Sequence, residues 1–273
     1  MPPIMLTANS KNKLNVLITR PTTKGKALAE SLANLNIASV NQPLFDYQPF
    51  ADHQTSKDLL TKNNIIIFVS VSAVKFANKV FSANHWHYQQ VIAVGKATKE
   101  ALKLLGINNV LCPEQENSEG LLALPILNKR FSNDPITIVR GDSGREHLAT
   151  QLKQQGALVT YLESYQCVWR TFSEDIAKQW FKQQINCIVV TSNAILEKLI
   201  QLTVAKFEQS GTQQSTSQQA KYWCQQCLWI VASPRIANTA KRHGLTRVII
   251  SNGASENAIT TTLTQLENGM NND

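Results

Sequence analysis

Val16-Leu17-Ile18-Thr19-Arg20-Pro21 is matched 120 residues later by Ile136-Thr137-Ile138-Val139-Arg140-Gly141, with Arg20 falling on Arg140. Helical spacing follows each stretch, through Leu28 and Leu32 in the first and Leu148 and Leu152 in the second. The repetition continues. Val69-Ser70-Val71-Ser72-Ala73-Val74 resembles Thr191-Ser192-Asn193-Ala194-Ile195-Leu196 at an offset of 122, with Ser70 on Ser192. Val91 to Leu111 resembles Trp229 to Ile249 at an offset of 138, with Gly106 on Gly244. An echo of this length implies two similar lobes, and two lobes imply a cleft. The growth in offset is filled by a Gln/Ser/Thr-rich stretch, Glu208 to Gln219, whose composition cannot build a core and reads as a mobile surface insertion.

Short runs of Val, Ile and Leu bounded by turn signals read as buried parallel strands at 15–20, 65–70, 91–94, 109–112, 136–140, 158–168, 186–191, 228–232 and 247–250. Amphipathic spacing between them predicts helices at 24–35, 71–82, 96–105, 118–130, 143–155, 173–183, 193–204, 234–243 and 255–267. Strand alternating with helix is the pattern of an α/β fold with parallel sheets. Two segments break the rhythm. Pro43 to Phe50 (PLFDYQPF) carries two prolines, and Tyr161 to Arg170 (YLESYQCVWR) is extended and aromatic. They are the places for chain crossings between lobes.

The 273 residues hold 43% hydrophobic side chains, enough for globular cores. No apolar run approaches the roughly 20 residues that span a bilayer, and the polar N-terminus lacks a signal-peptide hydrophobic region. A cytoplasmic protein without membrane partners is expected. Five cysteines at irregular spacing argue against a disulfide framework. Cys224-Gln225-Gln226-Cys227 precedes a strand rather than following one, and it lacks a second ligand pair for zinc. His85-Trp86-His87 has no carboxylate pair beside it. A net charge of +8 suits an anionic partner, although from composition alone it reads first as a solubilising charge. The basic residues are scattered, however, and nucleic acid is not the expected one.

Parallel sheets bind ligands at the carboxyl ends of their strands. That rule selects Thr19-Arg20-Pro21, Ser70-Val71-Ser72, Gly95-Lys96-Ala97-Thr98, Arg140-Gly141-Asp142-Ser143-Gly144-Arg145, Thr191-Ser192-Asn193 and Ser233-Pro234-Arg235. Free N–H groups at helix starts, with hydroxyls and arginines beside them, take carboxylate or phosphate. The same serines are good helix caps. No dinucleotide fingerprint, phosphate-binding GK[ST] loop or nucleophile elbow is present. An enzyme built this way works by positioning a reactive substrate, with modest acid–base help.

In these residues, over almost its full length, the chain resembles the uroporphyrinogen-III synthase family. The segments that carry the resemblance are Val16 to Pro21, Phe68 to Val74, Val94 to Thr98, Ile138 to Leu148, Tyr165 within Glu163-Ser164-Tyr165, Val190 to Ser192 and Val231 to Pro234. The resemblance implies two flavodoxin-like α/β domains joined by a two-stranded β ladder, with a substrate cleft between them. Residues 1–43 and 170–273 would form one domain and 50–160 the other, with 44–49 and 161–169 as the ladder. The implied enzyme is a cyclising hydro-lyase of haem biosynthesis. It closes linear hydroxymethylbilane, which bears eight carboxylates, to uroporphyrinogen III with loss of water and inversion of ring D. No cofactor and no metal are implied. Tyr165 would assist departure of the hydroxyl as a donor. Arg20, Ser70, Val71, Ser72, Thr98, Arg140, Gly141, Ser192, Asn193 and Ser233 would hold substrate. A monomer is expected, along with transient contact with hydroxymethylbilane synthase. One position departs from the family pattern: Ile236, the counterpart of Thr98 in the other lobe, stands where a Ser or Thr is frequent. The competing readings are a non-enzymatic two-lobe module for a polyanionic metabolite and, less well supported, a nucleic-acid binder.

Overall fold

A computed structural model describes residues 13–62, 64–144, 146–205 and 215–270. The chain opens with β1 (Asn15–Ile18), α1 (Thr22–Asn34) and β2 (Ala38–Asn41), then runs through β3 (Phe45–Pro49). Next come α2 (His53–Thr61), β4 (Ile65–Phe68), α3 (Val71–Val80), β5 (Gln90–Ala93), α4 (Lys96–Lys103) and β6 (Val110–Leu111). After α5 (Ser118–Ala123), β7 (Pro135–Gly141) and α6 (His147–Gln154), the long strand β8 (Leu158–Trp169) leads out again. The remainder is α7 (Ile176–Lys182), β9 (Cys187–Val190), α8 (Asn193–Ile200), α9 (Ser215–Lys221), β10 (Leu228–Val231), α10 (Pro234–Arg242), β11 (Val248–Ile250) and α11 (Glu256–Met270).

Two compact units result. One runs to Asp46 and resumes at Trp169, and the other spans Tyr47 to Val168. The chain therefore passes from unit to unit within β3 and returns within β8.

The first unit holds a sheet in the order β2-β1-β9-β10-β11, parallel throughout. The second holds β3-β8-β7-β4-β5-β6, with parallel pairing from β8 to β6. Matching β2, β1, β9, β10 and β11 to β8, β7, β4, β5 and β6 gives the same spatial order in both. That is the architecture behind the repeated sequence. The additional strand β3 runs antiparallel along β8, since Phe50 N donates to Ser164 O and Arg170 N to Leu44 O.

Strands buried on both faces explain the apolar runs. In β4 all four residues are buried. Ile65 and Ile67 pack into one cluster with Ile92, Ile136, Ile138 and Leu152. Ile66 and Phe68 pack into another with Val74, Val91, Leu102 and Leu162. The period of two sends alternate side chains to opposite faces. In the first unit Val16, Ile18, Val189, Ile230, Leu28 and Ile259 share one core cluster. The repeated glycines serve the same purpose in both units. Gly106 (φ 85°) and Gly244 (φ 78°) follow α4 and α10 in the left-handed conformation that closes a helix.

Three elements escape the apolar periodicity. The strand β2 is an edge strand with no fully buried residue, so no apolar run marks it. The segment PLFDYQPF contains β3, and α2 follows behind an Asp52 cap. Two of the expected helices are cut back most. Helix α5 stops at Ala123 rather than residue 130 because Leu124, which precedes Pro125, is extended (φ −63°, ψ 132°). Helix α6 begins at His147 rather than 143, leaving Asp142 to Glu146 before it. The stretch read as a mobile insertion, Glu208 to Gln219, lies outside the described residues up to 214. From Ser215 it is helical, which corrects that part of the reading. Arg145, singled out at the end of its strand-end loop, also lies outside the described residues. No helix among the described residues is long and apolar enough to cross a membrane.

Candidate functional site

In the second unit, β4 and β7 are neighbours with Phe68 opposite Val139. Their carboxyl ends therefore release Ser70 and Arg140-Gly141 side by side. Ser70 caps α3: its Oγ accepts from Ala73 N at 3.0 Å. The ladder between β7 and β8 slips between Arg140 and Gly141, so that Gly141 faces Tyr165. Ser164, buried just before it, places its hydroxyl 3.2 Å from the carbonyl oxygens of both Ala73 and Arg140. The Tyr165 ring then lies directly on Gly141. A Cβ at residue 141 would come within 2.8 Å of the ring carbons Cε2 and Cζ. The Tyr165 hydroxyl is 3.4 Å from Ser70 Oγ. Phe76 flanks the ring at a centroid distance of 5.6 Å, and Tyr47 meets it edge-on at 4.9 Å.

Arg140 is only 6% exposed. Its Nη1 donates to Glu146 Oε1 at 2.8 Å and its Nε to Gly141 O at 3.2 Å. The guanidinium carbon lies 4.4 Å from the centroid of the Tyr161 ring, a cation–π distance. Tyr161 donates to the other oxygen of Glu146 at 2.6 Å. Hydrogen bonds from Tyr161 and then Arg140 hold the Glu146 carboxyl below its usual range. Burial, reinforced by that same bond, pushes the Tyr161 hydroxyl up to about 12. Beside this network a cavity of about 350 Å³ opens among Val69, Ile138, Arg140, Ser143, Tyr161 and Asn117.

Two further loops of the second unit differ in availability. Val71 is 45% exposed at the start of α3, with Ser72 half-buried after it. Thr98 is 4% exposed inside α4. The start of α4 already holds a carboxylate of this chain, since Lys96 N donates to Glu116 Oε1 at 3.0 Å.

In the first unit, β1 and β9 are adjacent with Ile18 opposite Val189, so Arg20 and Ser192 leave neighbouring strand ends. Arg20 is 7% exposed and its Nη2 donates to Ala254 O at 2.9 Å. Burial lowers its pKa, opposed by the charge of Glu256. Ser192 caps α8 by accepting from Ile195 N at 3.2 Å. Asn193, the next residue, buries its Oδ1 without a partner among the described residues. Ser233 precedes α10 yet makes no side-chain cap bond. Ile236 is buried in that helix.

Sequence reasoning thus named Ser70, Arg140, Gly141 and Tyr165, which the second unit brings together. It missed Tyr47, Phe76, Tyr161 and Glu146, which hold them. Glu146 sits six residues after Arg140 within a stretch already singled out, and Tyr47 lies in a segment noted only for its prolines. Among the described residues no three His, Cys, Asp or Glu side chains gather as metal ligands would.

Residues 26–261 match the family model described as uroporphyrinogen-III synthase HemD. The uroporphyrinogen-III synthase of Salmonella typhimurium is 28% identical over 254 residues, covering 90% of this chain and 98% of the relative. That of Escherichia coli (strain K12) is 26% identical over the same shares. Among solved structures, a mutant uroporphyrinogen III synthase from the extremely thermophilic bacterium Thermus thermophilus aligns with a TM-score of 0.57 at 11% identity, over 93% of this chain and 99% of that one. The Helicobacter pylori uroporphyrinogen-III synthetase aligns with a TM-score of 0.54 at 12% identity, over 93% and 100%. At such identities these structures speak to the fold.

Proposed function

The chain belongs to the uroporphyrinogen-III synthase family, and from that premise we propose how its strand-end residues carry the reaction. The activity is that of the family, a cyclisation in haem biosynthesis. On our reading the substrate is linear hydroxymethylbilane. Its terminal hydroxyl takes a proton and leaves as water, and the remaining azafulvene cation is attacked by the substituted carbon of ring D. The spiro intermediate then fragments and recloses with ring D inverted. Spontaneous closure gives the symmetrical isomer I, so the protein must hold the chain ends in one geometry.

Tyr165 donates to the leaving hydroxyl. A phenol O–H is a hydrogen-bond donor, as this role requires. Ser70 stands beside it as relay or orienting group. The substrate carboxylates lie on the strand-end loops of each unit: Arg20, Ser192, Asn193 and Ser233 in one, and Ser70, Val71, Ser72, Thr98, Arg140 and Gly141 in the other. Arg140 and Arg20 are buried and already bonded, so they act mainly by positive potential and by shaping their loops. The two-domain reading, with 44–49 and 161–169 as the connecting ladder, belongs to the same proposal. So do a monomeric, cytoplasmic enzyme and a transient contact with hydroxymethylbilane synthase. The observation that carries the assignment is the Tyr165 hydroxyl poised at Ser70 above Gly141.

The test is turnover of fresh hydroxymethylbilane, with the products oxidised and resolved as porphyrin isomers. The wild-type chain should give isomer III in excess of isomer I. Tyr165→Phe should lower kcat by about a hundredfold, the lower end of general-acid effects. A product identical to the enzyme-free control would overturn the reading. So would tight binding of the bilane without turnover, the behaviour of a binding module.

A further inference from the structure

We propose that Tyr47 is a positioning residue for the reaction, its ring holding the Tyr165 hydroxyl in place. This rests on the assignment of Tyr165 made above. The Tyr165 ring is fixed from three sides. Gly141 forms the floor, with no room for even a Cβ between them. Phe76, buried on α3, forms one wall at 5.6 Å with its plane tilted by 30°. Tyr47 meets the ring edge-on at 4.9 Å and 75°. An edge-to-face contact directs the positive rim of one ring at the negative face of the other, and it restrains rotation of both.

The strand pairing explains why this contact exists. With Leu44 bonded to Arg170 and Phe50 to Ser164, Tyr47 on β3 lies diagonally from Tyr165 on β8. Diagonal neighbours on one face of a sheet are within reach of aromatic side chains. Ser164 ties β8 down immediately before Tyr165. The backbone is therefore set independently, and Tyr47 governs the direction of the side chain alone. Without its ring, the Tyr165 side chain loses one of its restraints. Burial raises the Tyr47 hydroxyl to about 12, with Tyr165, Cys167 and Asp142 adding to the effect, so Tyr47 brings no negative charge to its neighbour at neutral pH. On this account the ring matters and the hydroxyl does not.

The experiment makes Tyr47→Phe, Tyr47→Leu and Tyr47→Met in the full chain, each with Tyr165 intact and with Tyr165→Phe. It measures kcat and KM with fresh hydroxymethylbilane, with circular dichroism to count folded protein. Tyr47→Phe should keep kcat within about twofold. Tyr47→Leu should lower it about tenfold with KM nearly unchanged, the scale expected of a slightly misplaced group. Tyr47→Met supplies the same test should Tyr47→Leu fold poorly. In the Tyr165→Phe background the leucine and methionine variants should cost nothing further, because the hydroxyl they misplace is already gone. An equal loss in that background would overturn the inference and leave Tyr165 standing. Wild-type kcat in Tyr47→Leu, or a loss in Tyr47→Phe as large as in Tyr47→Leu, would overturn it as well. Wild-type kcat in Tyr165→Phe alone would overturn the assignment of Tyr165 and this inference with it.

Discussion

Ser70 and Tyr165 share a contact that no local stretch of chain creates: their oxygens are 3.4 Å apart across 95 residues of sequence. Ser70 Oγ is simultaneously the cap of α3, accepting from Ala73 N at 3.0 Å. The cap uses a lone pair of the oxygen, which leaves the Ser70 proton free to be given to Tyr165 or to substrate. One side chain thus couples helix stability to the proposed chemistry, and the two can be separated. Ser70→Ala should lose about 1 kcal/mol of stability, the usual cost of a deleted cap, and should lower kcat as well. Ser70→Asp should retain the cap, since aspartate caps well, yet raise KM if a polycarboxylate approaches there as proposed. Thermal unfolding and steady-state kinetics on both variants check this. A Ser70→Asp enzyme with unchanged KM would argue that substrate does not come near α3.

Gly141→Ala tests the floor under Tyr165. The new Cβ would approach ring carbons to 2.8 Å, so either the ring or strand β7 must shift. Overpacking of this kind costs about 1–3 kcal/mol. The expected outcome is a lower melting temperature together with a kcat loss comparable to that of Tyr47→Leu. If stability falls but kcat holds, the position of the Tyr165 ring is not what the reaction needs.

Much of this fold was legible because its strands are buried on both faces. Ile65 to Phe68, Cys187 to Val190 and Leu228 to Val231 are buried at every position and read as apolar runs. Ala38 to Asn41 forms an edge strand and carried no such mark. The stop of α5 is written in Leu124-Pro125, where the residue before proline is extended. The site was legible as a set of loops, since strand ends in a parallel sheet are where ligands bind. Its assembly was not. Tyr165 reaches Gly141 only because the β7–β8 ladder slips by one residue, and Tyr47 reaches Tyr165 only because β3 pairs antiparallel with β8. The loop that leads to Thr98 has the composition for an anion, and Glu116, 20 residues from Lys96, reaches its helix start through a contact that no local stretch reveals.

Acid should weaken the pair of Asp46 and Arg170. Arg170 grips Asp46 with two bonds, Nε to Oδ2 at 2.7 Å and Nη2 to Oδ1 at 2.8 Å. The hydrogen bonds from Arg170 hold the Asp46 carboxyl below its ordinary range. A carboxylate whose folded pKa is depressed adds stability above its unfolded pKa and loses it as the pH falls through the folded one. The pair is well exposed, so its worth is at most about 1 kcal/mol. Asp46→Asn should therefore melt slightly below the wild type at pH 7, and the gap should close below about pH 4, where free aspartate protonates. A gap that persists well below that pH, once the folded carboxyl has also protonated, would locate the effect elsewhere.

Ser192 and Ser233 are both serines before helices of the first unit, but they do different work. Ser192 caps α8, whereas Ser233 makes no cap bond. Ser192→Ala should cost about 1 kcal/mol of stability. Ser233→Ala should stay within about 0.5 kcal/mol of the wild type, like other surface changes that remove no contact. If the Ser233 hydroxyl receives a substrate carboxylate, its loss should appear in KM instead, at about tenfold for a charged hydrogen bond. Unfolding curves and KM values for the two alanine variants should separate cleanly, and a Ser233→Ala enzyme with unaltered KM would remove Ser233 from the site.

Asn193 permits a sharper version of that experiment. It occupies in α8 the place that Val71 occupies in α3, directly after the capping serine. Unlike Val71, it buries a side-chain oxygen that no described residue satisfies. Such a group costs about 1–3 kcal/mol, so its retention needs a reason other than stability. Asn193→Val copies the other unit and removes the unpaired oxygen. Chemical denaturation should find this variant at least as stable as the wild type. The amide nitrogen is lost at the same time, and KM for hydroxymethylbilane should rise about tenfold if that nitrogen donates to a substrate carboxylate. Stability gained with KM unchanged would make Asn193 a tolerated defect. Stability lost would mean that the amide has a structural partner when the protein is in solution, a buried water being the one that fits.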